Sequence, residues 1–241
     1  MRVVTARDYD QMSRKASYIV ASRVILNPKC VLGLATGDTP KGLYRELAFL
    51  FRAGDVDFSG VTTFNLDEYV GLAPDHPNSY QSYMREHFFR FVNVSPGRRH
   101  IPDGTVPDLA AECRRYEAAI ERAGGIDLQI LGLGRDGHIG FNEPDVKFET
   151  GTHVVTLAES TLEANARFFA HAGDVPRSAI SMGIRTIMSA RRILLLAAGA
   201  EKAEAIRGAV LGAVTPDLPA SVLQLHPNVT VIVDEAAART L

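Results

Sequence analysis

The chain has 241 residues, 46% of them hydrophobic and 22% charged, values that suit a globular protein with a full core and exclude a disordered one. Its formal net charge of −2 gives no global field for nucleic acid or an anionic membrane, so an anionic ligand has to be held by local groups. Cys30 and Cys113 lie in no CxxC pair or zinc-ligand spacing and read as reduced core thiols.

The opening "MRVVTARDYDQMSRKASYIV" has neither the apolar stretch nor the small-residue cleavage site of a signal peptide. No apolar run approaches the roughly 18 residues of a membrane span, so the expected location is the cytoplasm. The first convincing strand is "CVLGLA" (30–35), preceded by an amphipathic helix over 8–26 with Asp8 as its cap. Only about thirty residues precede that strand, room for one helix but no DNA-reading module. Next come a helix over 40–54, with Pro40 in its first turn and Gly54 as its stop, and the strand "VTTFNL" (61–66). Helical spacing recurs over 78–92, with Asn78 as cap, and over 107–125, with Asp108 as cap and Gly124 as stop. The strands "IDLQILGLG" (126–134) and "RRILLLAAG" (191–199), a helix over 200–212 stopped by Gly212, and the strand "VTVIVD" (229–234) complete the series.

These strands are apolar on both faces, as in a covered, mostly parallel sheet. With no repeat, low-complexity tract or linker, the expectation is one domain over 1–241: an open, mostly parallel α/β sheet with helices on both faces. Ligands of such sheets bind beyond the carboxyl ends of the strands. Three of those ends are rich in polar residues, "TGDTPKG", "NLDEYVG" and "GRDGHIGFNEP", and are expected to converge on one cleft.

In "GLATGDTPKGLYREL" a small-residue turn runs into a helix, an arrangement that leaves backbone N–H groups for a phosphate. It lacks the Gly-Lys-Ser/Thr ending of a Walker loop. "GLGRDG" matches G-x-G-x-x-G, but "HIGFNEP" is poor helix material, which argues against a dinucleotide cofactor. Asp136, His138 and Glu143 have no second His at metal-ligand spacing. A carboxylate on each side of one imidazole suits proton relay, the alternative being a structural His in a polar turn. Asp67 and Glu68 end another strand, where a carboxylate serves either to remove a proton from a carbon beside a carbonyl or to cap the next loop. No G-x-S-x-G elbow or activated Cys supplies a covalent nucleophile. On the residues alone the chain is an α/β enzyme acting on a small phosphorylated substrate by acid–base chemistry.

In order and spacing, "GLATGDTP", "TFNLDEYVGL", "HPNSYQSYM", "GLGRDGHIGFNEP", "ANARFF", "VP" followed by "AISMG", and "LQLHPN" resemble the glucosamine-6-phosphate deaminase (isomerase) family over almost the whole chain. The resemblance implies a modified Rossmann-like fold and conversion of glucosamine 6-phosphate and water into fructose 6-phosphate and ammonia, with no cofactor and no metal. It implies that His138 helps open the sugar ring with Asp136 and Glu143 as its relay. Asp67 is then the base that moves a proton from C2 to C1, giving an enamine that loses ammonia after water adds at C2. Phosphate binding maps onto Thr36, Gly37, Asp38 and Thr39, onto Arg167 in "ANARFF" and onto Lys202. Asp38 departs from the pattern, which commonly has Ser or Gly there; a carboxylate beside phosphate repels it unless it points away or caps the helix.

A sugar-phosphate lactonase, sharing the fold and a His-containing strand-end loop, is the alternative enzyme, and a sugar-phosphate-sensing domain the alternative of another class. Larger family members are hexamers activated by an N-acetylated sugar phosphate through basic residues after the Asn-Glu-Pro motif. Here that segment reads "DVKFETGTHVVTL", with no arginine, so the expectation is a monomer or small homo-oligomer without such activation.

Overall fold

The computed structural model describes residues 1–159, 162, 166, 169, 171 and 174–241. Ten strands lie along these residues: β1 (Arg2–Ala6), β2 (Val31–Leu34), β3 (Thr62–Asn65), β4 (Asp67–Tyr69), β5 (Arg99–His100), β6 (Leu128–Leu131), β7 (His153–Thr156), β8 (Ser178–Ser181), β9 (Ile193–Ala197) and β10 (Val229–Asp234). Seven form one sheet in the order β1-β10-β9-β6-β2-β3-β5, every pair of it parallel. β4, β8 and β7 form a small antiparallel sheet.

Among the described residues the named helices are α1 (Tyr9–Leu26), α2 (Lys41–Ala53), α3 (Tyr80–His87), α4 (Leu109–Arg122), α5 (Ile184–Met188) and α6 (Ala203–Leu211). β2 steps through α2 to β3 on one side, whereas β6 leads to β9 and then through α6 to β10 on the other. The strand order therefore reverses between β2 and β6, and their carboxyl ends flank the crevice that forms wherever neighbouring strands send their chains apart. Right-handed crossovers put helices from the two directions on opposite faces. β2, β6 and β9 are buried along their whole length, as strands covered on both faces must be.

Local chemistry sets the helix ends. Asp8 accepts from the Gln11 amide and Asp108 from the Ala111 amide, capping α1 and α4 as their positions suggest. α2 buries Leu43, Tyr44, Leu47 and Ala48 along one stripe and stops at Gly54, whose φ of 83° is left-handed.

Several expectations need correction. Ser79, not Asn78, caps α3: it is extended and its side chain accepts from the Ser82 amide. α3 closes at His87 and a 3-10 turn over Phe89–Phe91 takes over, so the helix is shorter than its apolar spacing suggests. Pro40 is the N-cap residue of α2 rather than part of its first turn. A strand also precedes α1. β1 pairs only with β10 and is mostly exposed, so it lacks the apolar run of the central strands. Among the described residues no helix is long and apolar enough to cross a membrane.

Candidate active site

Asp67 opens β4 directly after the large sheet ends. Leu66 donates its amide to Leu34 of β2 and accepts from Met182, the residue after β8, which fixes where the chain leaves one sheet for the other. Asp67 then lies opposite Ser181 in the antiparallel register. Its side chain is 6% exposed, and among the described residues its carboxylate accepts no hydrogen bond. Burial first, and the Glu68 charge second, push this carboxyl up to about 8.

Glu68 points elsewhere. Its two oxygens accept from the amides of Tyr69 at 2.9 Å, Tyr80 at 2.9 Å and Gln81 at 3.0 Å, so it holds the first turn of α3. Burial raises this carboxyl to about 7 against the pull of the three donors. The two readings open for this carboxylate pair thus separate: Glu68 caps, and Asp67 is left bare and basic.

The segment after β6 folds back on itself. The Gly134 amide donates to the His138 carbonyl at 2.9 Å, and Asp136 Oδ1 accepts from the His138 amide at 3.1 Å. The imidazole comes to rest against Gly134, where a side-chain carbon would lie 2.2 Å from Nδ1; no larger residue fits. Nδ1 is 2.7 Å from Asp136 Oδ1, close but off the N–H axis, so it makes no aligned hydrogen bond among the described residues. Burial raises the Asp136 carboxyl, but the His138 side chain and amide together prevail and hold it down at about 2. An anionic carboxylate beside an imidazole orients the ring and fixes its tautomer.

The same loop returns to Asp67. Gly140, at φ 60°, has no room to spare: a carbon on its Cα would lie 3.1 Å from Ser181 Oγ and 3.7 Å from Asp67 Oδ2. Phe141 donates its amide to Ser181 Oγ at 3.1 Å, and Asn142 Nδ2 donates to the carbonyls of Ile139 at 2.9 Å and Met182 at 2.8 Å. Ser181 and Asn142 were not flagged by the sequence, where they look like ordinary polar residues; only the pairing of β8 with β4 gives them this place. Glu143 follows this knot in the chain, and its Oε2 accepts from the Ala158 amide at 2.9 Å. It borders a cavity of about 220 Å³ lined also by Lys147, His153 and Pro219.

At the end of β2, Gly37 adopts a left-handed φ of 87° and the chain turns into α2. Asp38 pairs with Lys41 through a 2.8 Å contact between Oδ1 and Nζ, so it does not cap α2, whose N-cap residue is Pro40. Tyr80 stands between this loop and Asp67: burial raises its hydroxyl, with the Asp67 charge adding to the rise and the Thr36 side chain opposing it. Lys202 follows β9. Burial, then the Arg135 guanidinium, lower its ammonium against the opposing pull of Glu201 and Asp136, charges that include two of the His138 loop. Arg167 lies outside the described residues. The structure thus brings the ends of β2, β3, β6 and β9 to one side of the sheet, as strand polarity requires.

A family model described as glucosamine-6-phosphate isomerases/6-phosphogluconolactonase matches residues 8–232. The chain is 57% identical to a glucosamine-6-phosphate deaminase of Halothermothrix orenii over the full length of both, and 53% identical to one of Clostridioides difficile over all of this chain and 97% of that one. Among solved structures, a monomeric glucosamine-6-phosphate deaminase matches with a TM-score of 0.97 at 49% identity over both whole chains. A 6-phosphogluconolactonase of Thermotoga maritima matches with a TM-score of 0.76 at 20% identity over 97% of this chain and 99% of that one, a likeness of fold. The chain belongs to the glucosamine-6-phosphate isomerase/6-phosphogluconolactonase family.

Proposed function

We propose that this chain is a single-domain glucosamine-6-phosphate deaminase that works in the cytoplasm as a monomer or small homo-oligomer, converting glucosamine 6-phosphate and water to fructose 6-phosphate and ammonia. The observation that carries the reading is the approach of the Asp136–His138 loop, through Gly140, to the bare, buried carboxylate of Asp67. It accords with the full-length relatives of that name. A sugar whose carbonyl end lies in this cleft meets an imidazole and a carboxylate base from two directions.

In this mechanism His138, oriented by Asp136, moves the proton between the anomeric hydroxyl and the ring oxygen, and the ring opens to the aldehyde. Glu143 completes the relay. Asp67 then takes the proton from C2; the electron pair left behind forms the C1–C2 double bond of an enolamine. Returning that proton to C1 shifts the double bond to C2–N. Water adds to C2 of the resulting imine and the C–N bond breaks, releasing ammonia and leaving the ketose. A carboxyl lifted by burial to about 8 suits both halves of the transfer, because a base whose pKa is near the working pH accepts and gives back a proton with similar ease.

The phosphate is assigned to Thr36, Gly37, Asp38 and Thr39 at the switch between β2 and β6, with Lys202 and Arg167 as cations. Local charge of this kind explains how a net-acidic chain holds a dianion. The deciding experiment is incubation of the purified protein with glucosamine 6-phosphate in deuterium oxide, reading ammonia, fructose 6-phosphate and deuterium at C1. Hydrolysis of a sugar-phosphate lactone with no ammonia from the amino sugar would transfer the chain to the other activity of its family.

A further inference from the structure

We infer that Tyr9 and Tyr83 are positioning residues for the phosphate of the substrate: their hydroxyls hold the successive carbonyls of the Thr36–Thr39 loop so that the intervening amides face the ligand. This rests on the reading of that loop as the phosphate site. Three contacts support it. Tyr83 of α3 donates its hydroxyl proton to the Gly37 carbonyl at 2.6 Å. Tyr9, the first residue of α1, shares its proton between the carbonyls of Asp38 at 3.0 Å and Thr39 at 3.1 Å. The Gly42 amide, in the first turn of α2, donates back to the Tyr9 oxygen at 2.7 Å, which fixes the direction in which Tyr9 can donate.

The geometry of the peptide group turns these contacts into an orientation. In a trans peptide the carbonyl and the following N–H point in opposite directions. Drawing the Gly37 and Asp38 carbonyls toward the tyrosines therefore turns the N–H groups of Asp38 and Thr39 away from them. The left-handed φ of Gly37 permits the sharp turn between the two orientations. Among the described residues the amides of Gly37 and Thr39 donate to no protein acceptor, which leaves them for a ligand. Successive N–H groups presented this way at a helix start form an anion-binding concavity.

The rest of the neighbourhood is built to seat these tyrosines. Gly42 has no space for a side chain, because a carbon there would lie 2.9 Å from Tyr9 Cε1 and 2.2 Å from Ser13 Oγ; α1 and α2 meet closely enough for Tyr9 to reach under the loop. Lys41 lies 5.9 Å above the Tyr83 ring while pairing with Asp38, so the carboxylate that would repel a phosphate is occupied by a cation held beside the same tyrosine. Three helices thus contribute to one short loop. A phosphate arriving at it finds donors already aimed, and little ordering remains to oppose binding.

The test uses Tyr9→Phe, Tyr83→Phe and the double variant, which remove one hydroxyl each and keep the rings. Expected is a rise in KM for glucosamine 6-phosphate of roughly fivefold to tenfold per hydroxyl with kcat near wild type, since the phosphate is bound alike before and during the reaction. Binding of inorganic phosphate, followed by titration calorimetry, is expected to weaken in parallel, with the fold retained and the urea midpoint lowered only by the lost hydrogen bonds. Equal phosphate affinity in wild type and variants, or a fall in kcat with KM unmoved, would overturn the inference; so would a wild type that binds no phosphate. A wild type that binds phosphate but releases no ammonia would instead sink the deaminase reading, and the calorimetry would still decide for or against the tyrosines.

Discussion

Replacing Asp67 by Asn is expected to stabilise the protein while abolishing its activity, by an amount that depends on pH in a defined way. The carboxyl moves from an ordinary value of 3.8 to about 8 on folding, through burial and the neighbouring Glu68 charge. At about 1.4 kcal/mol per pH unit, that difference is on the order of 5 kcal/mol against the charged form in the folded state. Because the folded pKa is the higher one, the folded chain binds the extra proton between the two values. The group's contribution is fully favourable below about 4 and is lost as pH rises through about 8. Asparagine carries no charge at any of these values. The stability advantage of Asp67→Asn should therefore grow from pH 5 to pH 8, at up to about 1.4 kcal/mol per unit, and level off above. Urea unfolding of both proteins at pH 5, 6.5, 8 and 9 measures it, and taking the difference cancels the titrating groups that do not interact with Asp67, leaving Asp67 and its neighbour Glu68. Deamination by the variant should fall by about 10²-fold or more, and wild-type kcat/KM should lose activity on the acid side of about pH 8. Parallel stability curves for the two proteins would show that Asp67 is not a buried, proton-holding carboxyl, and the argument for it as the base would go with them.

Gly134→Ala should lower kcat by at least roughly tenfold with the fold retained, because its methyl would lie 2.2 Å from His138 Nδ1 and displace the imidazole; comparing turnover with the urea midpoint checks this. Lys202→Ala should raise KM about tenfold with little change in kcat. In the wild type, KM should begin to rise on the alkaline side at a lower pH than an ordinary ammonium would give, since burial lowers this lysine. Initial rates should be hyperbolic in substrate and unmoved by N-acetylglucosamine 6-phosphate: the cavity after the Asn-Glu-Pro motif presents Glu143, Asp145 and Glu149 to an anion, and Lys147 is already paired with Glu149 at 2.8 Å. Sigmoidal rates that the effector straightens would contradict that.

The parts of the fold legible in the sequence are those whose signal is local. β2, β6 and β9 are buried on both faces, so their apolar runs stand out with no knowledge of their neighbours. β1 is a mostly exposed edge strand, and β4, β7 and β8 are strands of three or four residues whose identity depends on pairing with distant segments. The site divides the same way. Asp136 and His138 sit two residues apart, and their 2.7 Å contact is a property of one turn. The placement of Asp38 is left open by the sequence, and the structure settles its local partner as Lys41 three residues on. The residues alone leave open which of Asp67 and Glu68 is the cap, and only the resemblance singles out Asp67, because α3 claims one and β8 covers the other.

That division bears on how the chemistry is assembled. Asp67 and His138 belong to different strand ends, and neither strand pairs with the other: β3 is separated from β6 by β2. Their relative position is set instead by β8, whose Ser181 stands opposite Asp67 in the register and accepts the Phe141 amide, while Met182 beside it takes the Asn142 side chain. The loop carrying the imidazole is thus tied to the strand that covers the base, and Gly140 lets its backbone come close. Proton transfer demands placement to a fraction of an ångström, and rigid elements supply such precision better than loops alone. The small antiparallel sheet is where this chain obtains it: the large sheet brings the polar strand ends to one side, and the small sheet ties the loop that carries His138 to the strand opposite Asp67.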